Sequence, residues 1–169
     1  MNFPVEKLPN IEFKLNEPLS KYTFTKTGGN ADTLAFPKTR EELIQIVDTA
    51  RVNQVPITVI GNASNLIIKD GGIRGIVIIL PNFKKIEVSE TKVTAEAGAT
   101  IINTTIAAQK AGLTGIEFAA GIPGSVGGAV FMNAGAYGGE IKDVFESAEV
   151  LLPDGHITTL THDAMNFSY

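Results

Sequence analysis

The chain contains no cysteine among its 169 residues. That absence excludes disulfides, thiolate catalysis and cysteine-ligated zinc or iron–sulfur centres, and it suits a reducing compartment, so a cytoplasmic location is expected. Histidine is scarce too. His156 follows an Asp-Gly turn and His162 stands near a helix start, with no ligand spacing between them, and no metal site is expected. Basic residues are in deficit, 14 against 18 acidic ones, and the net charge of −4 leaves no cationic footprint for nucleic acid. No apolar run approaches the roughly 20 residues of a membrane span. The opening Met-Asn-Phe-Pro-Val-Glu-Lys lacks the basic and then apolar pattern of a signal peptide. Neither nucleic acid nor a membrane is expected as a partner.

Several motifs are missing as well. No Gly-x-Gly occurs anywhere, which removes the Rossmann fingerprint, and the P-loop ending in Gly-Lys-Ser/Thr is absent. Ser125 follows Pro123-Gly124 rather than a glycine two positions before it, so it is no hydrolase elbow. With 44% hydrophobic and 19% charged residues, the composition is that of a packed globular chain. Its length allows one domain, or two small lobes sharing an interface.

What the chain has in abundance is glycine between Gly112 and Gly139, which holds nine of its 17 glycines. Glycine costs about 0.5–1 kcal/mol relative to alanine inside regular structure, so such a cluster marks unusual backbone or close approach. In Gly121-Ile122-Pro123-Gly124-Ser125-Val126-Gly127-Gly128, the Pro-Gly pair favours a tight turn, and a short helix is expected over Ala129 to Asn133. A glycine loop entering a helix offers unpaired N–H groups and a dipole suited to phosphate oxygens. Glu117 is the only charge in the stretch. An anion here would therefore be held by amides and hydroxyls such as that of Ser125. Close packing of helix on sheet is the competing reading. Glu117 reads either as a functional carboxylate or as one held by N–H groups, and Tyr22 and Tyr137 either stack on a planar ring or pack in the core.

Along the chain, residues 1–21 carry Pro4, Pro9 and Pro18 and read as an arm or short helix. Tyr22 to Thr27 alternates aromatic and hydroxyl residues like a strand, and Gly28-Gly29 turns into a second strand at Ala31 to Phe36. Thr39-Arg40-Glu41-Glu42 matches a capping box, with Leu43, Ile46, Val47 and Ala50 on one helical face. Ile57 to Ile60 reads as a buried strand entering Gly61-Asn62-Ala63-Ser64-Asn65, a second loop of small residues that is either an anion cradle or a plain turn. Ile76 to Leu80 is apolar enough to be buried on both faces. A hairpin follows at Lys85–Val88 and Lys92–Ala97, then a helix from Thr100 to Lys110 stopped by Gly112. Phe145–Leu152 and His156–Leu160 form a last hairpin, and Thr161 to Met165 starts a helix. Short strands, hairpins and two good helices give an α+β class rather than a doubly wound sheet.

The combination of Tyr22 to Gly29, Gly-Asn-Ala-Ser-Asn-Leu, Ala-Glu-Ala-Gly-Ala and the long motif ending Asn-Ala-Gly-Ala-Tyr-Gly resembles the bacterial UDP-N-acetylenolpyruvoylglucosamine reductases, from about Lys21 to Tyr169. The shorter Gly-Asn-Ala-Ser-Asn loop belongs more broadly to the FAD-binding fold of vanillyl-alcohol oxidases and p-cresol methylhydroxylase. The resemblance implies a two-lobed FAD-binding fold of that type, with residues 1–21 as arm, 22–80 as first lobe, 81–169 as second lobe and the C-terminal substrate domain absent.

By the same resemblance the diphosphate of FAD lies between two glycine loops. Gly61, Asn62, Ala63, Ser64, Asn65 and Leu66 would wrap one side, and Gly121, Ile122, Pro123, Gly124, Ser125, Gly127 and Gly128 would line the other. Asn133, Ala134, Gly135 and Ala136 would lie near the flavin. The implied reaction is reduction of UDP-N-acetylglucosamine enolpyruvate by NADPH through the flavin, giving UDP-N-acetylmuramate for peptidoglycan synthesis. In the family an arginine directly after the tyrosine matched by Tyr169, a serine proton donor and a glutamate complete catalysis. None of these falls in this sequence, so no catalytic residue is expected within it and turnover is expected to need more chain. A non-catalytic nucleotide-binding or flavin-binding module is the alternative.

Overall fold

The computed structural model describes residues 3–168, so the tyrosine at position 169 and the first two positions of the expected arm lie outside it. The described chain divides into two units, one running to Asn82 with 151–156 added, the other covering 83–150 and the remainder from Ile157.

The first unit is built on strands β1 (Glu12–Pro18) and β2 (Asn30–Phe36), helix α1 (Arg40–Val52) and strands β3 (Ile57–Ile60) and β4 (Ile73–Ile79). They form a four-stranded mixed sheet in the order β1-β2-β4-β3. β1 runs antiparallel to β2, whereas β2 and β3 both run parallel to β4, with Leu34 opposite Val77 and Ile60 opposite Ile79. The central strands are buried on both faces, as the apolar run of β4 requires. Leu34, Phe36, Val77 and Ile79 point into one cluster with Leu19, Ile60 and Ile68. Ala35, Ile76 and Ile78 point into the other, which α1 closes with Ile46 and Ala50.

Helix α1 starts where its sequence says. The Thr39 hydroxyl accepts the Glu42 N–H at 3.2 Å, and Glu42 in turn accepts the Lys38 N–H at 2.6 Å, one residue earlier than in the usual reciprocal box. Three expectations differ from the structure. Glu12–Pro18 is a strand within the segment read as an arm, because an edge strand facing water tolerates its charges and proline. β3 is an edge strand rather than a buried one, with Val59 61% exposed. Tyr22 to Thr27 is a pair of turns, because Thr23, 2% exposed, spends its hydroxyl on the Thr27 carbonyl at 2.7 Å and Lys26 N–H bonds Thr23 O at 3.2 Å.

Close backbone approach explains one glycine of each Gly-Gly pair of this unit, Gly29 and Gly72. Gly29 N–H donates to Lys69 O at 3.1 Å, and a methyl group at Gly29 would sit 1.9 Å from the Asp70 carbonyl oxygen. No residue but glycine fits at that crossing.

The second unit opens with the hairpin β5 (Ile86–Ser89) and β6 (Lys92–Ala95), whose strands pair antiparallel as expected. Helix α2 (Ile101–Lys110) is capped by Thr100, whose hydroxyl accepts the Asn103 N–H at 3.1 Å. At its other end Leu113 N–H bonds Ala108 O, Gly112 N–H bonds Gln109 O, both at 3.0 Å, and Gly112 takes φ +70°: a Schellman stop at the expected glycine. Helix α3 (Val126–Phe131) comes next, then the tiny hairpin β7 (Gly135–Ala136) and β8 (Gly139–Glu140), the strands β9 (Ser147–Leu151) and β10 (Ile157–Thr161), and α4 (His162–Met165). Ile101, Ala119, Ala129 and Ile141 form the core of this unit, with Phe118, Phe145 and Phe167 packed against it. Among the described residues no helix is long and apolar enough to cross a membrane.

Candidate functional site

The two glycine loops fall in different units and have different chemistry. The first leaves β3 at Ile60 and turns through Gly61 to Asn65. Among the described residues, the backbone N–H groups of Gly61, Asn62, Ala63 and Ser64 have no hydrogen-bond partner. Ala63 adopts φ +47°, a left-handed conformation that an alanine holds only when its surroundings impose it. They do: the residue is buried, and its carbonyl accepts the Phe24 N–H at 3.3 Å. A turn that leaves successive amides unpaired is an anion-binding concavity, and each amide bonded to a charged oxygen contributes about 1.5–3 kcal/mol. Asn65 is engaged within the protein, and Leu66 is exposed beyond it.

The second loop is already paired. Gly124 N–H bonds Ile122 O at 3.0 Å, while Val126 N–H bonds Ala99 O and Gly127 N–H bonds Ala97 O, each at 2.8 Å. Gly128 N–H donates to the Ser125 hydroxyl at 3.2 Å, making Ser125 the cap of α3, which starts three residues earlier than expected. The expectation of bare amides through this stretch is corrected for these positions. Gly127 is a packing glycine, since a methyl there would lie 2.9 Å from the Ala97 Cβ. Ser125 alone in the loop keeps donors: its N–H has no partner, and its O–H hydrogen remains to donate. Gly121 and Pro123 are exposed and Ile122 packs on the core.

Asn133 is 2% exposed and takes φ +45°. Its side-chain amide donates to Glu140, and its carbonyl accepts the Lys142 N–H at 2.9 Å. Both ends are thus spent on clamping the 139–142 segment, which leaves the backbone of Ala134, Gly135 and Ala136 as what that region presents. Ala134 is itself tied, its N–H to Ala129 O at 2.9 Å and its carbonyl to Ile141 N–H at 3.0 Å.

The structure bears on the open readings of three further residues. Glu117 accepts the Thr114 hydroxyl at 2.6 Å and the Gly115 N–H at 2.7 Å. The Thr114 bond, then N–H bonds from its own backbone and from Gly115, hold its carboxyl below the ordinary value. It is a structural carboxylate. Tyr22 packs on Phe36, with its hydroxyl bonded to Glu17 at 2.9 Å. Tyr137 is not a core residue; it is 96% exposed at φ +53°, paired with Gly138 at φ +86° in a two-residue turn between β7 and β8. The feature sequence reasoning missed is Phe24, which stands beside the first loop through its bond to Ala63. Its threonine-rich context reads as a strand, and no local signal gives that distant partner.

The class follows from these loops. Residues 31–161 match the FAD binding domain family, and the chain belongs to that family. FAD is the cofactor this membership assigns, and the unpaired amides of the first loop are a donor set that fits its diphosphate. The chain is similar to the UDP-N-acetylenolpyruvoylglucosamine reductase of Latilactobacillus sakei, with 62% identity over all of this chain and 56% of that protein. The crystal structure of the same-named reductase from Thermus caldophilus superposes with a TM-score of 0.77 at 37% identity, covering 95% of this chain and 55% of that one. Cholesterol oxidase from Brevibacterium sterolicum, 18% identical, shares the fold with a TM-score of 0.69 over 90% of this chain and 33% of that one. The chain spans about half the length of the curated relatives it matches. The two-lobed α+β FAD-binding fold implied by the motifs is therefore the one found.

Proposed function

We propose that this chain is the FAD-binding half of a UDP-N-acetylenolpyruvoylglucosamine reductase, working in the cytoplasm on a path to cell-wall precursor. The observation that carries the reading is the run of unpaired amides at Gly61, Asn62, Ala63 and Ser64, following a parallel strand in a chain of the FAD binding domain family. FAD, when bound, supplies the redox chemistry, carrying hydride from NADPH to the enolpyruvyl double bond of UDP-N-acetylglucosamine enolpyruvate. What these residues do is bind and orient. In the first unit the amides of Gly61 to Ser64 take phosphate oxygens without a cation; in the second unit Ser125 keeps an N–H and an O–H free to donate, and the backbone of Gly135 and Ala136 is the part that the resemblance assigns to the flavin. Asn133 acts indirectly, by fixing that backbone. The remaining glycines of the second loop hold α3 on the segment 97–101 and so keep Ser125 in place.

Titration of the purified chain with FAD, followed by flavin absorption and fluorescence, tests the binding. Saturable binding is expected, and a chain that neither carries flavin nor takes it up contradicts the proposal. The activity is tested with the chain extended to the length of its relatives. NADPH oxidation that depends on the enolpyruvyl sugar is expected, whereas flavin binding without it would leave a non-catalytic flavin module.

A further inference from the structure

Single exposed apolar side chains are ordinary on a protein surface. Phe24, 68% exposed, differs in being fastened to the loop that carries unpaired donors, through its N–H bond to Ala63 O at 3.3 Å. The turn that presents it is held from within: Tyr22 and Thr23 N–H groups both bond Leu19 O, and Thr23 is buried. The backbone that carries this phenyl ring is thus held next to the loop of unpaired amides, all within the first unit.

A dinucleotide whose diphosphate rests on the Gly61 to Ser64 amides extends in two directions. One arm reaches the purine across a single ribose; the other reaches the flavin across an open ribityl chain. The purine is the ring that must lie near the cradle. We propose that Phe24 is the stacking platform for the adenine of FAD, a positioning residue that makes the chain select the dinucleotide. This rests on the cradle reading above and deepens it. Aromatic rings serve such a role for any base because every base presents a π face.

The test is equilibrium binding of FAD to the 169-residue chain, with ADP as competitor because it keeps the adenine and the diphosphate but no flavin. In Phe24→Ala the affinities for FAD and for ADP are expected to fall by a common factor of roughly 5 to 150. Phe24→Tyr, which keeps the ring, is expected to restore both. Exposure of the side chain means that the unfolding midpoint of the ligand-free protein stays where it was, which separates the effect from misfolding. Unchanged FAD affinity in Phe24→Ala overturns the inference, and so does a fall for FAD alone, which would put the flavin on that ring. If the unaltered chain binds no FAD, the cradle reading falls and this one with it.

Discussion

Replacing Gly127 by alanine separates the two purposes a glycine-rich loop can serve. Its N–H is already bonded to Ala97 O at 2.8 Å, and an added Cβ would lie 2.9 Å from Ala97 Cβ, 3.1 Å from its oxygen and 3.3 Å from its Cα. The obstacle is mostly backbone of a neighbouring segment, which is itself fixed by the Val126 to Ala99 and Ile101 to Gly124 bonds at 2.8 and 2.9 Å. Nothing flexible can swing aside. Overpacking of this kind costs about 1–3 kcal/mol. For a chain of this size each kcal/mol shifts the midpoint by about 2–4 °C, so a fall of about 2–12 °C is expected for the ligand-free protein. Saturating FAD raises both proteins by RT ln(1 + [L]/Kd), about 4 kcal/mol at a thousandfold excess over Kd, and leaves the gap between them intact. Thermal unfolding with and without FAD reads both quantities. An unchanged ligand-free midpoint, combined with loss of the FAD-induced rise, would refute the packing role and return this amide to the ligand.

Gly29→Ala is expected to be far worse, more than about 3 kcal/mol, because the new methyl would fall 1.9 Å from the Asp70 carbonyl oxygen; denaturant unfolding checks it, and a wild-type midpoint would contradict it. Tyr137→Asn is expected to stabilise the protein by about 0.5–1 kcal/mol, because asparagine tolerates the left-handed φ of +53° in the first position of this turn better than tyrosine does. A lowered midpoint would mean that the tyrosine ring has a partner. Glu117 has its folded pKa lowered, first by the Thr114 hydroxyl, so it contributes stability above the ordinary carboxylate value near 4.5 that is lost as the pH falls through its lower folded value. The stability gap between the natural protein and Glu117→Gln is therefore expected to be constant near neutrality and to shrink below pH 4.5; a gap that ignores pH over that range would contradict the assignment.

Local signals carried much of this fold. Thr39 caps α1, Gly112 stops α2, and the unbroken apolar run of β4 marks a strand covered on both faces, because each depends on neighbours within a few residues or on burial that composition reports. Failures came where the deciding partner is remote. β1 looks like an arm because an edge strand needs few apolar residues, and its pairing with β2 crosses a turn that sequence disguises as a strand. At the site, the spacing of Gly124, Gly127 and Gly128 is the same whether their amides meet a ligand or a carbonyl. Only Ala97, about thirty positions earlier, decides that Gly127 is spent. The shorter and less distinctive loop at Gly61 is the one whose amides stay free.

The central claim is that those free amides, rather than the longer glycine motif, grip the diphosphate. Amide nitrogen and proton shifts recorded as FAD is added test it directly. Gly61, Asn62, Ala63 and Ser64 are expected to show the largest changes, as each N–H gains a charged acceptor, with Gly127 and Gly128 retaining the signature of bonds they already have. Large shifts at Gly124, Gly127 and Gly128, whose amides are already bonded, with residues 61–64 unmoved would contradict the account.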